Sequence, residues 1–310
     1  MVSYSIIIPH KNIPNLLQRC LDSIPIRSDV QVIVIDDNSD EDKVDFSHFP
    51  QWGGDEYEYY LTKEGKGAGF ARNVGLEHAK GTWLVFLDAD DLFLPVVSEV
   101  FDEEINTEDD IVFFRPKPVL SNHLEMTSTR SGSKYSTYID KYFEIGDEVE
   151  LRTLWHSPWS KLFKNSFVSS NGIRFDETKY SNDVMFSTKT GCEAKRIAAR
   201  DKSFYVVTER EGSLTSDFCH KAGELETRAS VFFRAQQVVR SFGYPIDDNL
   251  AIRYLCRLYD GNREEFKKYF NAFRKMTGYS RKELIDDIFE ANSFVSRLKR
   301  KVCAFWITAF

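Results

Sequence analysis

The feature that most constrains this chain is a series of short, wholly apolar segments, each closed by turn residues and several followed by a helical stretch. Ile6-Ile7-Ile8 ends at Pro9, and Leu16, Leu17, Cys20, Leu21 and Ile24 then recur at the spacing of one helix face, starting near Pro14. Val30 to Ile35 is a second β-branched run. It stops at Asp36-Asp37-Asn38-Ser39-Asp40, whose short polar side chains compete with regular backbone bonding. Tyr57 to Leu61, Trp83 to Leu87 and Ile111 to Phe114 read as further strands, with a helix over about residues 70–79. Continuously apolar strands are buried on both faces, so the pattern predicts an α/β fold: a mostly parallel sheet with helices on both sides. Such sheets bind ligands outside the carboxyl ends of their strands. Residues 9–12, 36–40 and 88–91 therefore carry the functional expectation.

Composition excludes several other classes. The 310 residues are 42% hydrophobic and 29% charged, which suits about two globular domains and argues against disorder. The net charge of −7 is uneven: residues 251–310 hold 13 Lys/Arg against 7 Asp/Glu, leaving −13 on the rest. An acidic body is a poor general nucleic-acid binder. Five cysteines lie far apart with no Cys-x-x-Cys pair, so no zinc or redox motif is expected. The start reads as a strand rather than a signal peptide, and the apolar end, Val302 to Phe310, is far shorter than the ~20 residues of a membrane-spanning helix. Residues 119–140 predict hairpins or a mobile loop, 141–215 mixed elements, and the chain beyond about 222 a mostly helical region.

Three clusters could carry chemistry. Asp88-Ala89-Asp90-Asp91 follows a strand directly, and carboxylates two apart there can share one hard divalent cation; helix capping is the alternative. Asp36-Asp37 also ends a strand and can accept from a base N–H or from ribose hydroxyls. Gly65-Lys66-Gly67-Ala68-Gly69-Phe70-Ala71-Arg72-Asn73 fails both the P-loop and the dinucleotide pattern. It reads as a flexible loop entering a helix, with amides suited to an anion and Arg72 one turn in.

In order, the segments 2–12, 34–39, 67–76 and 86–91 resemble the motifs of family 2 glycosyltransferases with the GT-A fold, closely over residues 3–115 and more loosely to about 215. The resemblance implies an inverting transfer from a nucleotide-diphosphate sugar, most simply a UDP-sugar, in bacterial surface-polysaccharide assembly. Pro9 would line the base pocket, Asp37 would contact the base with Asp36 beside it, and Arg72 would organise the nucleotide side. Asp88 would lie near the ribose or the metal, and Asp90 would bind Mg²⁺ or Mn²⁺. His10-Lys11 departs from the small residue and Tyr of many members. Similar enzymes carry a catalytic Asp roughly 90 residues beyond the metal motif, which implies Asp183 as the base, with Asn182 where Glu is commoner; a helix N-cap is the alternative role. Trp155-His156-Ser157-Pro158-Trp159-Ser160-Lys161 resembles the acceptor segment, so Trp159, Lys161 and His156 are candidate acceptor contacts.

The expected domains are 1–215 (a nucleotide-sugar half, 1–115, and an acceptor half, 116–215) and a helical region, 216–310. A basic amphipathic helix at 291–310 would either lie on an anionic membrane surface or dock on the body. The expected partners are the sugar nucleotide and a saccharide or lipid-linked saccharide acceptor. The expected location is the cytoplasm, at the membrane's inner face if the tail binds lipid. A nucleotidyltransferase would need a basic glycine-rich loop after the first strand, where only Lys11 stands. A non-catalytic binding module would tolerate broken acidic motifs, and here they are intact.

Overall fold

The computed structural model describes residues 1–45, 57–128, 132–210, 223–289 and 291. It divides into two compact units, Met1–Phe218 and Cys219–Phe310. The tail expectation at 291–310 lies almost wholly outside the described residues.

In the first unit the chain runs β1 (Tyr4–His10), α1 (Pro14–Asp22), β2 (Val30–Asp37), β3 (Tyr57–Thr62), α2 (Ala68–His78), β4 (Trp83–Phe86), β5 (Leu92–Phe93), α3 (Val97–Glu104) and β6 (Ile111–Phe114). It continues through β7 (Lys117–Leu120), β8 (His123–Thr127), α4 (Ser133–Ile145), α5 (Val149–Thr153), β9 (Lys161–Lys164), α6 (Asn165–Ser170), α7 (Val184–Glu193), β10 (Ile197–Arg200) and β11 (Tyr205–Glu209). Seven strands form the main sheet in the order β10-β6-β9-β4-β1-β2-β3. The predicted α/β sheet is borne out. All its pairings are parallel except those of β9, which runs antiparallel to both β4 and β6. Every residue of β4 and β6 is buried, as continuous apolar runs require of strands covered on both faces. Pro14 opens α1 at its first turn, where the missing N–H costs nothing.

A second, four-stranded sheet, β5-β11-β7-β8, was not foreseen. Its strands hold only two to five residues, too few for a period to show. The hairpin expectation for 119–140 is met in part, since β7 and β8 pair antiparallel and α4 follows. Because β1, β2 and β4 run parallel, His10, Asp37 and the 88–91 loop emerge at the same edge of the main sheet.

The second unit is helical, with α8 (Glu224–Ser241), α9 (Asp248–Gly261), α10 (Arg263–Thr277) and a helix over 281–289. It has its own apolar core, including Phe232, Phe233, Leu255, Phe273 and Leu284. Asp247 and Asn262 cap α9 and α10 by accepting the N–H groups of Leu250 and Glu265. No helix among the described residues is long and apolar enough to cross a membrane.

Candidate active site

The loop after β2 is held from within. Asp36 is 1% exposed and accepts from His10 Nδ1 (2.7 Å), Ser39 Oγ (2.6 Å) and the Ser39 N–H (2.8 Å). The Ile13 N–H points at His10 Nε2 (3.2 Å), which assigns the proton to Nδ1 and makes that nitrogen the donor to Asp36. Burial alone would raise the Asp36 carboxyl, but the bonds from His10 and Ser39 outweigh it and hold the group below its ordinary value. Asp36 thus braces the loop. A depressed carboxyl stabilises the fold above its unfolded pKa and loses that contribution as pH falls through its folded value. Asp36→Asn is therefore expected to cost about 2 kcal/mol near neutral pH, with the gap to wild type closing below about pH 4; urea unfolding at several pH values measures it.

Asp37 is differently placed. Its Oδ2 accepts from the Gly67 N–H (2.9 Å) and meets Lys11 Nζ (3.5 Å). Its Oδ1 is buried and has no hydrogen-bond partner among the described residues. A buried carboxylate oxygen without a donor is costly, so this atom is suited to accept one N–H from a bound group. Pro9 sits one residue before His10 and is half-buried in β1.

The glycine-rich segment also serves the protein's own packing. Gly67 adopts φ +96° and spends its N–H on Asp37. Beyond it, one face of α2 grips the chain at 175–182. A Cβ on Gly69 would stand 2.0 Å from the Asp176 carbonyl oxygen and 2.9 Å from Asn182 Cβ, so only glycine allows the approach. The Asn73 side chain donates to Phe175 O (3.0 Å) and accepts the Phe175 N–H (2.9 Å). Arg72, 6% exposed, forks: one arm donates to Asp88 Oδ1 (2.6 Å), the other to Asn182 Oδ1 (2.9 Å). Asp183 follows directly at the N-cap position of α7, yet its side chain makes no capping bond.

The acidic loop is sewn to β11. Tyr205 Oη donates to Asp91 Oδ2 (2.7 Å) and accepts the Asp88 N–H (3.2 Å), while the Thr208 N–H and Oγ1 reach Asp91 Oδ1 and Asp90 O (2.7 Å each). Arg19 from α1 adds a 2.6 Å bond to Asp90 O, and Arg210 Nε meets Asp90 Oδ2 at 2.8 Å. Asp91 is interior. Burial first, then the Asp90 and Asp88 charges, pushes its carboxyl well above the usual range. Asp88 and Asp90 remain partly exposed, each met at one oxygen by a guanidinium. Among the described residues no three His, Cys, Asp or Glu side chains gather to hold a metal. The pair of hard oxygen donors still fits Mg²⁺ or Mn²⁺, with other ligands supplied by a bound group and water.

The Trp155 to Lys161 segment packs inward. Trp159 is 9% exposed and stacks on Tyr205 (centroids 5.7 Å apart). Lys161 is 1% exposed: its ammonium donates to Trp155 O (2.9 Å) and lies near the rings of Phe113, Trp155 and Phe163. Burial drives its pKa well below the ordinary value, and the charge of Asp183 opposes that shift. His156 Nε2 donates to Thr153 O (3.0 Å), and burial, with Lys134 and Lys161, lowers it to about 4. The lysine thus packs among core aromatic side chains, and the imidazole is tied to the backbone. Sequence reasoning also missed Arg19, Tyr205, Thr208 and Arg210. One structural sign does mark the region. The described non-glycine residues with positive φ are Asn12, Asn38, Ser160 and Ser181, each beside one of these loops.

A mostly parallel α/β sheet with acidic residues gathered at the carboxyl ends of its strands fits the GT-A fold. Residues 5–160 match the family model described as glycosyl transferase family 2, just over half the chain, and the chain belongs to that family. Among curated relatives, glycosyltransferase GlyA of Streptococcus pneumoniae is 24% identical over 263 residues, covering 80% of this chain and 36% of that protein. The crystal structure of Staphylococcus aureus TarS 1–349 in complex with UDP-GlcNAc shares the fold, with TM-score 0.66 and 19% identity over 97% of this chain and 92% of that one. Mannosyltransferase PcManGT from Pyrobaculum calidifontis, in complex with GDP-Man and Mn²⁺, gives TM-score 0.50 and 15% identity over 96% of this chain and 75% of that one. The chain spans 36% to 62% of the length of GlyA and two other curated relatives it matches.

Proposed function

We propose that this chain is an inverting glycosyltransferase that moves a sugar from a nucleoside-diphosphate donor, a UDP-sugar, to a hydroxyl of a saccharide or lipid-linked saccharide in bacterial surface-polysaccharide synthesis. The observation that carries it is the Arg72 fork. One buried guanidinium ties Asp88, in the loop suited to a cation and diphosphate, to Asn182, the neighbour of Asp183. Arg72 and Asn182 lie 110 residues apart in the chain, and their contact supports a site in which the acidic loop and Asp183 act together.

Asp37 Oδ1 supports the choice of base. An acceptor-only oxygen suits the imino N–H of uracil, thymine or guanine and repels the bare ring nitrogen of cytosine. Asp88 and Asp90 would hold Mg²⁺ or Mn²⁺, which supplies positive charge against the departing diphosphate. Asp183 takes the proton of the acceptor hydroxyl while that oxygen bonds the anomeric carbon and the bond to the diphosphate oxygen breaks. The family relationship, and the names of relatives such as GlyA, support the transferase reading.

Thermal unfolding of the full chain with UDP, GDP, CDP and dTDP, each with and without Mn²⁺, tests donor recognition. Stabilisation by UDP that grows with Mn²⁺ and is absent for CDP is expected. Equal shifts for UDP and CDP would remove Asp37 from base recognition, and a preference for triphosphates would favour nucleotidyl transfer.

A further inference from the structure

Resting on the reading of Asp88 and Asp90 as a cation site, we propose that Arg210 is the exchangeable counter-cation of Asp90. Its guanidinium and a divalent cation compete for that carboxylate, so Arg210 sets the metal concentration the loop requires. The two acidic side chains are each met by one guanidinium, but the two arginines differ in freedom. Arg72 is buried and pinned at both ends, on Asp88 and on Asn182. Arg210 meets Asp90 at one point, Nε to Oδ2 at 2.8 Å, and its side chain is 30% exposed just past the end of β11.

The backbone beneath this contact is fixed independently of it. Arg19 and Thr208 both hold Asp90 O, and Thr208 N and Tyr205 Oη hold the Asp91 carboxylate. Asp90 can therefore change the partner of its side chain without the loop moving. A hard dication takes carboxylate oxygens directly and repels a guanidinium a few ångströms away. The exposed, single-point arginine is the one that yields. While it stays, it neutralises Asp90 beside the charge of Asp88, and it raises the threshold for metal uptake.

The test is Mn²⁺ binding alone, read by the electron paramagnetic resonance of the free ion, on the full-length wild type, Arg210→Gln, Arg210→Met and Arg210→Lys. An exposed ion pair of this kind is worth up to about fivefold in an equilibrium, so the Gln and Met variants are expected to half-saturate at severalfold less Mn²⁺ and Lys to stay near wild type. Unfolding midpoints of the variants confirm that each is folded, and two neutral replacements guard against a fault peculiar to one. Equal or weaker uptake by the neutral variants would overturn the exchange while leaving the cation site standing. Absence of Mn²⁺ uptake by every protein, wild type included, would overturn both.

Discussion

Asp183→Asn is expected to reduce sugar transfer by about 10²–10⁴-fold, the usual contribution of a positioned general base, while leaving the affinity for UDP with Mn²⁺ within about twofold of wild type. Asn is nearly isosteric but cannot take a proton, and Asp183 already sits at the N-cap of α7 without capping it, so the helix loses no bond of that kind. The donor-side groups, Asp37, Arg72 and Asp88, keep their own partners. Isothermal titration with UDP, set against turnover, separates the two effects. Transfer retained in the variant would sink the assignment of Asp183, and nucleotide binding lost along with transfer would make it a structural residue.

Gly69→Ala should produce the largest effect from the smallest change. The new methyl would lie 2.0 Å from the Asp176 carbonyl oxygen, inside any real contact distance, and that atom is backbone in a loop closed by an Asp176 N–H bond to Asn182 O (3.2 Å). Either α2 or the 176–182 loop must move. Overpacking of this sort costs about 1–3 kcal/mol. Because the moving segment carries Asn182 and Asp183, turnover should fall by about 10²-fold as well, the scale expected for a displacement near 1 Å. Denaturant unfolding and turnover measured on one preparation check both halves. A Gly69→Ala protein with wild-type stability and rate would show that α2 does not set the position of the base.

The strands of the nucleotide half were legible because continuous apolar runs such as Ile6-Ile7-Ile8 and Trp83 to Phe86 have no other stable use than a doubly covered sheet. Asp37 and Asp88 could be located for the same reason, as residues just past such strands. The glycine-rich segment was visible, but its use was not: nothing in Gly67-Ala68-Gly69 says that its neighbour is a carbonyl more than 100 residues away. The clamp on the acidic loop was hidden for a related cause. Tyr205 and Thr208 are ordinary strand residues until β11 pairs beside β5 and β7 and brings them under Asp91. The burial of Lys161 was hidden because local sequence cannot show that aromatic side chains from β6, β9 and Trp155 close over it.

The central claim is that this site breaks the bond between sugar and nucleoside diphosphate with inversion. Glycosyltransferases slowly use water when no acceptor is present, so the direct measurement is proton NMR of the sugar first released from a panel of UDP-sugars by the full chain with Mn²⁺. The account predicts release from at least one α-linked donor, with the β anomer appearing first and release strongly reduced in Asp183→Asn. First appearance of the α anomer, or release unchanged by that substitution, would contradict it.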